Sequence, residues 1–279
     1  MMKPSLFVAT PEFPADSQYV HLYRDRVDIN IKRAAEQGFE AVEFLINDPD
    51  ECDVALLEKA IADNKIELAC LNTGYIASVL KYTLISPDKA VMEKAMQKLK
   101  KCIDIAERMH CFVGVGLFRG ACIPDKPIRY SRDMLVEALK EATAYAKPKK
   151  VDLSFEATNR FEINFINSTA EGLDIVERVG ADNLGMTLDL FHIFLEDRNM
   201  YEAITMAQGH IRHMHFSDSD RWPAGFSHGE INFPALIQLL HALDYDGYLS
   251  EGLVRADNAD ECARVTAAYL KDLIKKYTI

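Results

Sequence analysis

The sequence predicts an α/β protein with a single (β/α)₈ barrel domain, a TIM barrel, spanning residues 1–279. Short runs rich in Val, Ile, Leu and Phe alternate with helix-like stretches along the whole chain. Eight such repeats in about 250 residues match the usual size of this barrel. No linker rich in Pro, Gly or Ser and no shift in composition divides the chain into two domains.

The eight strand candidates end in Gly, Asn, Asp or Pro, as strands bounded by turns do. They are predicted at 6–10, 40–45, 66–72, 112–118, 151–157, 184–190, 211–217 and 247–253. The alternative is an open, doubly wound sheet with extra strands. A glycine-rich dinucleotide turn after the first strand would favour that alternative, and "VATPEFPADS" contains none.

Four helices have clear signals. Residues 86–109 carry apolar side chains every three or four positions, with Ser86 as the expected N-cap and Pro87 in the first turn. Residues 168–180 open with Ser168 and Glu171 as a capping box and close at a glycine. Residues 232–247 and 258–277 are the other two.

Composition limits the possible partners and the location. The formal net charge of −11 repels nucleic acid and anionic membranes, so we expect neither as a partner. No apolar run reaches the roughly 18 residues of a membrane span, and the N-terminal apolar run is too short for a signal peptide. The six cysteines form no C-x-x-C pair, which favours free thiols in a reducing compartment. We therefore expect a cytoplasmic protein that acts on a small molecule.

Polar groups collect where the last four strands end. Glu156 ends the fifth strand, Asp189 the sixth, His213 and His215 the seventh, and Glu251 the eighth. The alternation of apolar and polar residues along each strand turns these side chains toward the barrel interior. The C-terminal ends of barrel strands carry the active site, so we expect three carboxylates and an imidazole to converge there.

Converging carboxylates would repel one another unless a cation lay between them. A divalent ion removes that cost. Three oxygen ligands and one nitrogen ligand suit Mn²⁺, Mg²⁺ or Co²⁺ better than Zn²⁺. The sequence therefore predicts a site for one divalent metal ion.

Four segments carry a resemblance to a known family. "FEATNRFE", "LDLFHIFLED", "HMHFSDSDRWPAGFSHGEINF" and "YDGYLSEGL" resemble the xylose-isomerase-like TIM-barrel sugar isomerase/epimerase superfamily, especially its ketose 3-epimerases and related keto-sugar epimerases. The resemblance extends over the chain but is most specific from 151 to 253.

The resemblance implies a function and assigns roles to residues. It implies an isomerase, a carbohydrate epimerase, with one metal ion, Mn²⁺ being the expected one, and a sugar or keto-sugar substrate. It also implies a homo-oligomer. The implied metal ligands are Glu156, Asp189, His215 and Glu251, and the implied substrate-binding residues are Glu162, His192 and Arg221.

The expected reaction removes a proton next to a carbonyl and returns it to the opposite face through an enediolate. Glu156 and Glu251 are the expected acid/base pair. His213 is expected to support the site without binding metal. For Glu43, which ends the second strand, a substrate contact and a structural ion pair are both open.

Other functions remain open, both for enzymes that would use the same site and for other classes of protein. An aldose–ketose isomerase of the hydroxypyruvate type and a keto-glycoside lyase would use the same site. "SDSDR" departs from the Gly-Glu of many ketose epimerases, so keto-acids, 3-keto-glycosides and modified sugars stay open as substrates. An apurinic endonuclease would need more His ligands on the early strands and a basic groove. A sugar-binding barrel without activity would not need both glutamates.

Overall fold

The computed structural model describes residues 1–12, 23–226, 228–252 and 258–278. It contains a closed barrel of eight parallel strands in sequential order, β1 to β8, in which β1 also pairs with β8. The strands are Lys3–Ala9, Ala41–Leu45, Glu67–Asn72, Phe112–Val115, Leu153–Glu156, Leu184–Asp189, Ile211–His215 and Tyr248–Glu251. The predicted (β/α)₈ barrel is confirmed, and the open sheet is excluded because the sheet is closed. The last residue of the predicted eighth strand, 253, lies outside the described residues.

Helices connect the strands around the outside of the barrel. In chain order α1 to α10 are Val27–Glu36, Val54–Asn64, Gly74–Leu80, Lys89–Met109, Ile128–Ala146, Thr169–Val179, Leu190–Glu196, Met200–Met206, Phe233–Ala242 and Ala259–Tyr277. Short 3₁₀ helices cover Leu117–Arg119 and Lys147–Lys149. No helix in the described part of the chain is long and apolar enough to cross a membrane.

The ends of two helices test the predicted caps. The capping box of Ser168 and Glu171 is present at the start of α6, and Gly180 ends that helix in the left-handed conformation. The predicted N-cap Ser86 is wrong, because α4 begins at Lys89 and its cap is Asp88, whose side chain accepts from the amide of Ala90. Ser86 instead accepts from the amide of Asp88 and closes the turn before the helix.

The outward side chains of the strands form the main core against the helices. Leu153 and Phe155 of β5 and Met186 of β6 are fully buried there, as alternation predicts. Inside the barrel, a small apolar layer that includes Cys70 closes one end. Polar residues fill the interior above this layer, and their position places the site at the C-terminal end of the strands.

The six cysteines are all free, and four of them are buried. Burial raises the pKa of the Cys52 and Cys262 thiols to about 11. These thiols are therefore protonated near neutral pH and serve as small apolar side chains.

Candidate active site

A pocket opens at the C-terminal ends of the strands. Its lining includes six of the seven residues predicted for metal or substrate binding, namely Glu156, Glu162, Asp189, His192, His215 and Arg221. The apolar part of the wall comes from Phe7, Leu45, Tyr75 and Leu117. The seventh residue, Glu251, is fully buried at the end of β8 and is not part of this lining.

Three predicted metal ligands meet at the bottom of the pocket. Ligand atoms of Glu156, Asp189 and His215 all lie within 4.8 Å of one another. Nδ1 of His215 is 2.9 Å from Oε1 of Glu156 and 3.5 Å from Oδ2 of Asp189. Two carboxylates and a ring nitrogen at these distances make a candidate site for a divalent cation.

Glu251 stands apart from this group of three. Its Oε1 accepts from the amide of Ala224 at 3.2 Å, whereas its buried Oε2 has no hydrogen-bond partner. Burial, with the nearby carboxylates of Asp189 and Asp218, raises the pKa of Glu251 well above its ordinary value. A buried carboxylate oxygen without a donor fits a site that takes a cation, so the donor set is compatible with a metal ion.

Arg221 supplies a positive charge to the same site. Its Nη1 lies 2.9 and 3.1 Å from the two carboxylate oxygens of Asp189, and its guanidinium carbon lies 4.5 Å from the centre of the Phe191 ring. Burial alone would raise the pKa of Asp189, but Arg221 and His192 hold it well below its ordinary value. Asp189 therefore carries a full negative charge.

The buried ring of His192 has a defined tautomer. The Asn159 amide nitrogen donates to its Nδ1 at 2.9 Å and to Oε1 of Glu162 at 3.0 Å. The amide orientation is fixed because the Asn159 oxygen accepts from the backbone of Phe161. The proton of a neutral His192 ring is therefore on Nε2, which lies 3.8 Å from Glu156 Oε1 and can donate to a ligand.

Two residues of the "NRFE" segment, Arg160 and Phe161, are directed away from the pocket. Arg160 does not line the pocket, because its guanidinium pairs with Glu196 at 2.7 Å and its side chain is 62% exposed. Arg160 is thus not placed to contact a substrate in the pocket. Phe161 is also directed away and is 80% exposed.

Two residues that the sequence did not single out shape the site. A Cβ atom on Gly116 would lie 2.6 Å from Glu156 Oε2, so a larger residue there would force this carboxylate to move. A glycine inside the strand-like run "FVGVGLF" signals such a close approach. The side chain of Asn159 is the second, since it links His192 to Glu162.

Arg119 supports the Glu156 backbone from below. Its guanidinium is fully buried and donates to the carbonyl oxygen of Glu156 at 3.0 Å. It also donates to the hydroxyl of Thr158 and to the carbonyl oxygens of Gly116, Phe165 and Ile166. These bonds attach the loop after β5 to the end of β4. The sequence offers no signal for this long-range contact.

Glu43 and His213 lie beneath the pocket and do not line it. Nε2 of His213 is 2.7 Å from Oε2 of Glu43, and both side chains are fully buried. Burial alone would raise the pKa of Glu43, but the rings of His215 and His213 hold it below its ordinary value. Of the two open interpretations of Glu43, the structural one matches these contacts, but as a buried hydrogen bond, because burial lowers the pKa of His213 and favours its neutral ring.

Comparisons with known proteins agree with this architecture. Residues 31–273 match the family described as xylose isomerase-like TIM barrel. An L-ribulose 3-epimerase from Mesorhizobium japonicum is 29% identical over 240 residues, 85% of this chain and 79% of the relative. A D-psicose 3-epimerase from Ruminiclostridium cellulolyticum is 29% identical over 228 residues, 78% of this chain and 74% of the relative. A solved structure of L-ribulose 3-epimerase superposes with a TM-score of 0.82 at 24% identity, covering 99% of this chain and 96% of that one. The chain therefore belongs to the xylose isomerase-like TIM barrel family.

Proposed function

We propose that the protein is a divalent-metal-dependent epimerase that inverts a carbon next to the carbonyl of a ketose or keto-sugar derivative. The observation that carries this proposal is the group formed by Glu156, Asp189 and His215, with Glu251 and its unpartnered oxygen nearby. The relatives named as L-ribulose and D-psicose 3-epimerases support the same reaction class.

Glu156 and Glu251 are the proposed acid/base pair. They end β5 and β8, two strands of the barrel that are separated by β6 and β7. A substrate held between them presents a different face to each carboxylate. One carboxylate removes the proton and the other delivers a proton to the opposite face, which inverts the carbon. For the opposite epimer the two roles are exchanged.

Four residues would hold the metal, and three would orient the sugar. Glu156, Asp189, His215 and Glu251 are the proposed ligands, and the ion would act as a Lewis acid on the substrate carbonyl. His192 donates through Nε2, Glu162 accepts from a hydroxyl, and Arg221 donates to an oxygen. These side chains fix which hydrogen faces the acid/base pair.

The identity of the metal ion, the cellular location and the oligomeric state are also proposals. We propose Mn²⁺ as the ion, with Mg²⁺ and Co²⁺ as substitutes, because the donor set is rich in oxygen. The six free thiols support a reducing, cytoplasmic location. We also propose a homo-oligomer, and this proposal is based on the family resemblance alone.

Proton exchange in D₂O tests the reaction. Purified protein is freed of metal with a chelator, reloaded with Mn²⁺, and incubated with L-ribulose, D-psicose, other ketoses, keto-acids and 3-keto-glycosides. NMR spectra of the recovered sugars then report loss of the C–H signal beside the carbonyl and formation of the epimer. We expect Mn²⁺-dependent exchange with epimer formation for at least one ketose or keto-sugar. A shift of the carbonyl would instead identify an isomerase, and loss of the aglycone a lyase.

Two conservative variants connect that reaction to the site. Glu156→Gln and Glu251→Gln keep the side-chain shape and an oxygen that can contact the ion, but they cannot accept the proton. Interconversion of the epimers should fall by at least about 100-fold in each, within the range for general acid/base groups. Wild-type turnover in either variant would contradict the proposed pair.

A further inference from the structure

Glu43 connects three strands in the layer beneath the pocket. Its Oε2 accepts a hydrogen bond from His213 Nε2 at 2.7 Å, and its Oε1 accepts one from the side-chain amide of Asn72 at 2.8 Å. The carboxylate of Glu43 and the ring of His213 are fully buried. A buried carboxylate with donors at both oxygens has a fixed orientation, because rotation would break two hydrogen bonds.

Glu43 also faces the ring of His215. Nε2 of His215 is 3.3 Å from Glu43 Oε1, although the two atoms lack the alignment of a hydrogen bond. No other acceptor within the described part of the chain bonds this nitrogen. The other ring nitrogen, Nδ1, lies 2.9 Å from Glu156 and 3.5 Å from Asp189. The Nε2 edge of the imidazole is therefore directed to Glu43, and the Nδ1 edge is directed to the candidate metal ligands.

Aromatic contacts hold the plane of this ring. The ring of Phe7 meets His215 edge-on, with centroids 4.8 Å apart at 85°. The ring of His213 does the same from another side at 5.2 Å and 86°. With its plane held by these contacts and Nε2 facing Glu43, the His215 ring has little freedom to turn Nδ1 away from the pocket.

The strand register changes where this network is built. Between Val42 and Glu43 of β2, the partner strand β3 carries one extra residue, Ala69. Between Met186 and Thr187 of β6, the partner strand β7 carries one extra residue, Arg212, directly before His213. Extra residues of this kind change the direction of the side chains that follow. The first irregularity directly precedes Glu43, and the second directly precedes His213.

A second metal site at Glu43 does not fit these distances. Ligand atoms of Glu43, His213 and His215 lie within 4.8 Å of one another. However, both oxygens of Glu43 already accept hydrogen bonds, one from Nε2 of His213 at 2.7 Å and the other from the amide of Asn72 at 2.8 Å. Neither residue lines the pocket through which an ion would enter.

We propose that Glu43 is a positioning residue that, once the metal site is loaded, holds the proton of His215 on Nε2 and thereby leaves Nδ1 free to bind the ion. A carboxylate behind a metal-binding imidazole fixes its tautomer and increases its basicity, and loss of such a partner typically costs about 10–100-fold in metal affinity. The metal-binding role of His215 comes from the proposed function, on which this inference rests. The position of the His215 proton can be measured without any sugar substrate.

The test uses the whole protein and two readouts besides activity. Long-range ¹H–¹⁵N NMR of the Zn²⁺-loaded, diamagnetic protein should show His215 protonated at Nε2 and without a proton at Nδ1. Calorimetric titration of the chelator-treated protein with Mn²⁺ should give one ion per chain. In Glu43→Gln the dissociation constant for Mn²⁺ should rise 10–100-fold. The matched control Glu67→Gln removes a carboxylate that pairs with Lys3 at 2.6 Å where β1 and β3 begin, at the end of the barrel away from the pocket, and should leave that constant unchanged.

Several outcomes would overturn the inference. A proton on Nδ1 of His215 in the Zn²⁺-loaded wild-type protein would do so even if Glu43→Gln failed to fold. Two ions per chain would identify Glu43 as a ligand instead, and an unchanged Mn²⁺ affinity in a folded Glu43→Gln protein would remove its role. If the predicted tautomer and the change in Mn²⁺ affinity are observed but the protein has no epimerase activity, the proposed function is contradicted and the role of Glu43 is not.

Discussion

Replacing Gly116 by alanine should displace the carboxylate of Glu156 and remove most of the activity. The added Cβ would lie 2.6 Å from Glu156 Oε2, and ordinary contact begins at 3.4 Å, so the oxygen must move by about 0.8 Å. A displacement of about 1 Å at a reacting group can cost about 100-fold. That factor corresponds to about 2.7 kcal/mol of transition-state stabilisation. We therefore expect kcat/KM of Gly116→Ala to fall by roughly 100-fold.

The assay is initial-rate epimerisation of whichever sugar the D₂O experiment identifies, with Mn²⁺ at saturation. Gly114→Ala is the matched control, because it adds the same methyl group to β4 without reaching Glu156. Its Cβ would lie 3.1 Å from the sulfur of Cys70, which can move by a few tenths of an ångström. Gly114→Ala should therefore lower Tm slightly and keep kcat/KM within about threefold, since methyl groups in a packed core act mainly on stability.

Either of two results would refute this reasoning. A folded Gly116→Ala protein with wild-type kcat/KM would mean that the position of the Glu156 carboxylate does not limit the reaction. An equal loss of activity in Gly114→Ala would assign the effect to strand β4 in general.

Three further predictions concern metal, stability and pH. Mn²⁺ at a hundred times its dissociation constant should raise the free energy of unfolding by about 2.7 kcal/mol over the chelator-treated protein, and an unchanged Tm would contradict the metal site. Arg119→Leu should lower the free energy of unfolding, measured with denaturant, by at least about 3 kcal/mol, because each buried carbonyl left without a donor costs about 1–3 kcal/mol; a loss below 1 kcal/mol would contradict its supporting role. The hydroxyl of Tyr23 and the guanidinium of Arg33 lower the pKa of Asp260, so its contribution is present above the unfolded pKa of about 3.9 and is lost as the pH falls through the folded pKa. The stability difference between the wild type and Asp260→Asn should thus be larger at pH 7 than at pH 3, and a difference independent of pH would contradict this contact.

The sequence predicts the barrel because it depends on local alternation, although β4 ends at Val115 and β7 at His215, before the predicted ends at 118 and 217. Leu153 and Phe155 on one face of β5 place Glu156 on the other, and the same pattern on β6 places Asp189. The predicted start of α4 is wrong because the chain carries two good capping residues close together, Ser86 and Asp88. The structure uses Asp88, which leaves Ser86 and Pro87 in the preceding turn.

Long-range contacts were outside the reach of the sequence. The guanidinium of Arg119 lies under Glu156 only because the loop after β5 folds back over β4. Alternation turns Glu43 inward, but its partner His213 is 170 residues away along the chain and is reached only by barrel closure. The contact of Glu251 with the amide of Ala224, in the loop after β7, likewise joins residues that no spacing in the sequence relates.

The central claim is that Glu156 and Glu251 act on opposite faces of one carbon. The most direct test is exchange in D₂O measured for each epimer separately, with Mn²⁺-loaded Glu156→Gln and Glu251→Gln. We expect that neither variant interconverts the epimers. Any proton exchange that remains in one variant should occur with one epimer only. The other variant should then exchange only the opposite epimer. Exchange of both epimers by a single variant would contradict it, because one carboxylate would then serve both faces.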